Sequence, residues 1–123
     1  LHMKSWYEWG SHVDRALACG LTLAEIERVK QSAAAPGWTV ADKLLLTAVD
    51  ELIARHAIAP ETLAELYQHY SPKQVMDLIA IQGMYVTLGG MINSFGLELD
   101  QPVLERLPES VSQAQFESEF PRS

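Results

Sequence analysis

The sequence has almost none of the residues that tie very small domains together covalently. Cys19 is the only cysteine among 123 residues. One cysteine can form neither an intrachain disulfide nor a cysteine-based zinc site, and a lone thiol is typical of a reducing compartment. We therefore expect a cytoplasmic protein. Because 48% of the residues are apolar, the chain can be stabilised by one hydrophobic core.

Positive charge is also scarce. Nine Lys and Arg residues stand against sixteen Asp and Glu residues, so the formal net charge is −7 and the isoelectric point is near 4.9. A chain of this charge lacks attraction to the phosphate backbone, and we expect no nucleic acid partner. The first residues hold no apolar run of secretory length, so we also expect no targeting peptide.

Strand patterns are missing too. No segment alternates apolar and polar residues between hairpin turns, whereas helix-capping residues recur before segments of helical periodicity. Thr22 and Glu25, for example, form a capping box, and Gly20 is placed to end the helix before it. The fold class is therefore all-α, with about five helices. They are predicted over residues 6–19, 22–32, 39–56, 60–69 and 71–95.

The C-terminal residues differ in composition from the rest. Residues 98–123 contain six acids and two bases, and Pro102, Pro108 and Pro121 exclude a long helix. We predict a helical domain over residues 1–97 and an extended acidic arm over residues 98–123.

The fifth predicted helix contains the longest uncharged segment, from Leu78 to Leu97. Its length would span a membrane. Gln82, Thr87 and Asn93 interrupt it, however, and no Lys or Arg cluster flanks it. We therefore expect no membrane partner, and a bundle helix buried on nearly all sides.

Small residues form a stripe along this helix. Gly83, Thr87, Gly90 and Ser94 follow one another at helical spacing, so a second backbone can approach closely there. Together with Gly89, the glycines cost about 3 kcal/mol in helix propensity, which packing must offset. We expect this packing to come from subunit contacts in a homo-oligomer.

The first helix places an acid and an imidazole on one face, because Glu8 and His12 are four residues apart. A carboxylate that accepts from one ring nitrogen leaves the other free to move a proton. Tyr7 and Trp9 are suited to a half-buried pocket wall beside this pair. The same spacing also fits an ordinary pair on a solvated helix face, worth a few tenths of a kcal/mol.

The sequence favours neither metal ligation nor catalysis by cysteine. Glu65 and His69 repeat the four-residue spacing, but di-iron bundles use Glu and His three residues apart. We expect no metal and no cofactor. Cys19 stands at a helix C-terminus, where the helix dipole disfavours a thiolate, so we expect a structural cysteine.

Several short segments between Trp6 and Leu99 form a further pattern. They are Tyr7-Glu8-Trp9-x-x-His12, Ala18-Cys19-Gly20-Leu21-Thr22, Glu25-Ile26, Ala35-Pro36-Gly37-Trp38, Ala48-Val49-Asp50-Glu51-Leu52, Gly83-Met84-Tyr85 and Asn93-Ser94-Phe95-Gly96. Together they resemble the carboxymuconolactone decarboxylase family, in its cysteine-free branch.

The resemblance implies an alkylhydroperoxidase D-like helical fold that assembles as a trimer or hexamer. Family members with thiol peroxidase activity carry Cys-x-x-Cys-x-x-x-His, and counting back from His12 places Ser5 and Glu8 at the two cysteine positions. Neither residue can form a disulfide, so we expect no thiol peroxidase activity. Relatives have further helices before this motif, so the chain is either a fragment or a short variant.

The resemblance also implies acid–base chemistry, either decarboxylation or proton transfer, on a small carboxylated or lactone-like substrate. His12 and Glu8 are the candidate catalytic residues, and Tyr7, Trp9 and Tyr85 are the candidates for binding the substrate. The alternative is a non-catalytic oligomeric helical module, in which Glu8 and His12 only stabilise a helix face.

Overall fold

The structure, a computed structural model, describes residues 1–122. Within this range it has seven α-helices, a 3₁₀ turn at Ser32–Ala34 and no strand. The all-α prediction is confirmed, with 68% of the residues helical. The helices are α1 (Trp6–Ala18), α2 (Leu23–Val29), α3 (Val40–Arg55), α4 (Pro60–Leu66), α5 (Pro72–Phe95), α6 (Gln101–Arg106) and α7 (Gln113–Glu119).

Local capping bonds explain where the helices begin. The Thr22 backbone N–H donates to Glu25 Oε2 at 2.8 Å, and the Glu25 N–H donates back to Thr22 Oγ1 at 3.3 Å. At the start of α1, the Glu8 N–H donates to Ser5 Oγ at 3.3 Å. These bonds satisfy N–H groups that have no partner inside a helix. Gly20, just beyond α1, has φ of +91°, a conformation that glycine adopts without strain.

The chain divides into two compact units. The first unit contains residues 1–26 and 86–122, and the second contains Glu27–Tyr85. Helix α5 is continuous and contributes its C-terminal part to the first unit and its N-terminal part to the second.

The core of the first unit is built on the buried side of α1. Trp6, Trp9 and Val13 pack there with Ile26, Leu99 and Phe116. The Phe116 ring stacks on Trp9 with centroids 6.0 Å apart and planes 19° apart. Gly10 lets a neighbouring segment approach, because a Cβ at Gly10 would lie 2.6 Å from Leu99 Cδ2. The chain after α5 therefore lies directly against α1.

The C-terminal segment differs from the predicted extended arm. It forms α6 and α7, and both pack against α1 within the first unit, so residue 97 does not separate a domain from an arm. The physical reason is that short helices fit between the prolines. Pro102 lies in the first turn of α6, where its missing N–H costs nothing. Arg106 then forms two hydrogen bonds with the Asp14 carboxylate, at 2.9 and 2.7 Å.

The second unit has its own smaller core, formed by Leu44 and Ala48 of α3, Leu66 of α4 and Val75 of α5. Glu51 joins α3 to the start of α4, because its carboxylate accepts from the Ala59 N–H at 2.8 Å and from Thr62 Oγ1 at 2.9 Å. Both oxygens of the Glu51 carboxylate therefore hold α3 to the start of α4.

Helix α5 was expected to be buried on nearly all sides, and within this chain it is not. Its most apolar 18-residue window is only 17% buried. By length and composition alone the helix could cross a membrane, although one such helix is weak evidence for a membrane protein.

Candidate functional site

Helix α1 positions the predicted acid–imidazole pair. Trp6, Trp9 and Val13 fix one side of the helix in the core, so the remaining positions point elsewhere. Glu8 and His12 occupy such positions, one helical turn apart. The Ser5 cap holds the first turn of the helix at Glu8. Rigid packing on one side and a cap at the end keep these two residues in a defined position.

Glu8 lies in a partly buried environment on the α5 side of α1. A Cβ at Gly89 of α5 would lie 3.2 Å from Glu8 Oε2 and 2.7 Å from the Met3 Cβ. The Glu8 Oε1 atom is buried and has no hydrogen-bond partner. Desolvation by burial raises the pKa of Glu8. The carboxyl is therefore more readily protonated than a surface glutamate.

His12 is exposed, unlike a fully enclosed catalytic histidine. The pKa of His12 is lowered, first by partial desolvation of the ring and then by the positive charge of Arg15. Solvent screens these effects at an exposed residue. The direction favours a neutral imidazole, which can accept a proton at neutral pH.

The three predicted aromatic residues have different surroundings. Trp9 is only 8% exposed and packs on Phe116 in the core. It therefore anchors α1 in the core and does not form an open pocket wall. Tyr7 is half-buried and borders a groove of the first unit. Tyr85 is half-buried on α5 and belongs to the second unit.

The groove beside Tyr7 has a volume of about 710 Å³ and lies within the first unit. Glu8 and His12 are not among its lining residues. The lining consists of Ser5, Trp6, Tyr7, Ile92, Asn93, Gly96, Leu97, Glu98, Leu99, Asp100, Gln101, Leu104, Gln113 and Arg122.

Most of the polar groove residues were missed by sequence reasoning, because they lie in the segment that was predicted to be an extended arm. Asn93, a polar groove residue of α5, bonds to two distant segments. Its Nδ2 donates to the Met3 carbonyl at 2.6 Å, and its Oδ1 accepts from Arg122 at 3.4 Å. No local pattern signals these bonds, since Asn93 and Met3 are 90 residues apart.

No metal site accompanies the pair. Across residues 1–122, no group of three or more His, Cys, Asp or Glu side chains is arranged to hold a metal ion. Cys19 is exposed at the end of α1. Glu8 and His12 are both groups that can exchange a proton with a bound molecule.

No protein-family profile, curated protein or solved structure matches this chain. The resemblance to the carboxymuconolactone decarboxylase family thus stays a prediction from the sequence.

Proposed function

We propose that this chain transfers protons on a small carboxylated or lactone-like substrate, in the manner of the carboxymuconolactone decarboxylase family that it resembles. The observation that carries the proposal is the environment of Glu8, whose buried Oε1 has no hydrogen-bond partner and whose pKa is raised. One turn away, the pKa of His12 is lowered. The two shifts bring the proton affinities of an acid and a base closer together, as proton transfer near neutral pH requires.

The unsatisfied Glu8 oxygen also suggests how a substrate binds. A buried acceptor without a partner costs free energy, and a hydroxyl or protonated carboxyl group of a ligand would remove that cost by donating to it. Neutral His12 would then accept a proton from the substrate, and the ionised Glu8 carboxylate would offset the positive charge that forms on the imidazole. Tyr7 is proposed to contact the substrate, and Trp9 to hold α1 in place. The protein is proposed to act as a cytoplasmic homo-oligomer.

The test is a screen of the purified protein against small carboxylated lactones, measuring loss of substrate and release of carbon dioxide. His12→Ala should remove the activity without loss of helicity, because an exposed histidine fills no core. His69→Ala is the matched control, since His69 is an exposed histidine in the other unit. Equal activity in wild type and His12→Ala would contradict the proposal.

A second candidate function is a non-catalytic helical module. The observation that favours it is that His12 is exposed and neither it nor Glu8 lines the groove. Under this hypothesis the lactone screen finds no turnover and no ligand that protects the protein against heat. Ligand-dependent protection that Glu8→Gln abolishes would favour the first candidate instead.

A further inference from the structure

The groove beside Tyr7 lies wholly within the first unit, and the proton-transfer proposal leaves most of it unused. Its volume of about 710 Å³ falls within the range of about 300–1,000 Å³ that small-molecule sites occupy. Neither Glu8 nor His12 lines it. What the groove can bind therefore depends on its own side chains.

Ser5 gives the groove a buried hydrogen-bond donor. Only 2% of Ser5 is exposed, and its Oγ accepts from the Glu8 N–H at 3.3 Å. A hydroxyl can also donate one bond, and within residues 1–122 no acceptor pairs with the O–H of Ser5. Because a buried polar group without a partner costs free energy, an acceptor on a ligand that reached this O–H would be bound favourably.

Two carboxylates give the groove hydrogen-bond acceptors. Asp100 is the N-cap residue of α6, where an aspartate side chain commonly accepts from a backbone N–H, yet it makes no such bond. Glu98, two residues earlier, also has no side-chain partner in the part of the chain that the structure describes. Both residues line the groove, so their carboxylate oxygens are available to donors on a ligand.

The groove does not favour an anion. Among the described lining residues Arg122 is the only cation. Its guanidinium already donates to Asn93 Oδ1 at 3.4 Å and lies 3.6 Å from Glu117 Oε1. The unpaired carboxylates of Glu98 and Asp100 therefore dominate the charge that a ligand meets, and they repel a carboxylate or a phosphate.

A ligand that suits this groove must both donate and accept hydrogen bonds. An ammonium group only donates, so it leaves the O–H of Ser5 without an acceptor. A sugar hydroxyl does both, because it has one donor and two lone pairs, and it carries no charge for Glu98 or Asp100 to repel. Trp6 and Leu104 also line the groove and add apolar surface for the C–H groups of a sugar ring.

We propose that this groove binds a neutral saccharide, whose hydroxyls accept from Ser5 and donate to Glu98 and Asp100. The inference goes beyond the proposed proton transfer and does not depend on it, because the lining contains neither Glu8 nor His12. Tyr7 borders the groove and is also assigned to the proton-transfer substrate, so it is not varied in the test. Ser5 is not varied either, because it caps α1.

An NMR titration of the whole chain, labelled with ¹⁵N, tests the binding directly. The probes are maltose, cellobiose and xylobiose, each added up to about 50 mM so that a site with a millimolar Kd is filled. The amide shifts should saturate and should be largest in residues 5–7 and 97–101, which line the groove. The absence of a saturating shift with all three sugars, or shifts confined to other residues, would overturn the proposal.

Spermidine, citrate and free leucine separate a saccharide from other ligand chemistries. They are cationic, anionic and zwitterionic, respectively, and each should bind the groove more weakly than the best of the three sugars. A lower Kd for any of them, measured from the same groove amides, would overturn the assigned ligand class.

Removal of one carboxylate should weaken the binding. The side chain of Asp100 is exposed and makes no capping bond, so Asp100→Ala should keep the helicity measured by circular dichroism. Its Kd for the best sugar should rise roughly fivefold or more, which is the effect of about one hydrogen bond. Glu98→Ala is a second variant with the same expectation.

Glu109→Ala is the matched control, since Glu109 is an exposed acid of the same C-terminal segment that does not line the groove. Its Kd should equal that of the wild type. If the Kd stayed unchanged in both Asp100→Ala and Glu98→Ala, or rose equally in the control, the assigned groove would be refuted. Since the titration measures no turnover, failure of this inference is distinguishable from failure of the proton-transfer function.

Discussion

Phe116→Ala is the sharpest test of how the C-terminal segment is used. Phe116 is 1% exposed and contacts the rings of Trp6, Trp9 and Phe120 at centroid distances of 6.0, 6.0 and 5.2 Å. Removing a buried phenylalanine costs about 3–5 kcal/mol, from lost burial and from the cavity left behind. A domain has only about 5–15 kcal/mol of stability in total. The substitution should therefore remove a large part of the stability of the first unit.

Urea unfolding followed by tryptophan fluorescence is the assay, because Trp6 and Trp9 both lie in the affected core. Leu104→Ala is the matched control: it is also a large apolar residue of the C-terminal segment, but it is 40% exposed, so its loss should cost less than about 1 kcal/mol. If Phe116→Ala cost no more than Leu104→Ala, the packing of α7 on α1 would be refuted, and the extended arm would be the better description.

Two further predictions concern the contact between α1 and α5. Glu8→Gln should stabilise the protein at neutral pH, because the folded state raises the pKa of Glu8 and ionisation of the desolvated carboxyl therefore opposes folding. This gain in stability should shrink as the pH falls through the raised pKa, because the wild-type carboxyl then becomes protonated. Thermal unfolding of both proteins across this pH range measures the gain. A gain that is constant with pH would contradict the raised pKa of Glu8. Gly89→Ala should destabilise the protein by about 1–3 kcal/mol, because its Cβ would lie 2.7 Å from the Met3 Cβ. Gly83→Ala meets no atom within 4 Å and should stabilise α5 by up to about 1 kcal/mol, so urea unfolding that ranks the two variants the other way would show that the close contact at Gly89 is absent.

The candidate site could be predicted only in part. The positions of Glu8 and His12 on one helix follow from their spacing, which is a property of any α-helix. The desolvation of Glu8 does not follow from spacing, because it depends on the approach of α5 at Gly89. The position of Trp9 in the core was not predictable from the sequence for a similar reason. Its stacking partner Phe116 lies in a distant segment where no helix was predicted.

The sequence by itself determined where several of the helices begin. Ser5, Thr22, Thr39 and Ser71 each cap a backbone N–H three residues ahead, so these starts depend only on neighbouring residues. The uncharged surface of α5 is likewise a matter of composition. Tertiary structure decided whether the two C-terminal helices form, because they are too short to be stable in isolation and pack on α1. The pairing of Arg106 with Asp14, 92 residues away, belongs to the same class: it forms only after folding has brought α6 to α1.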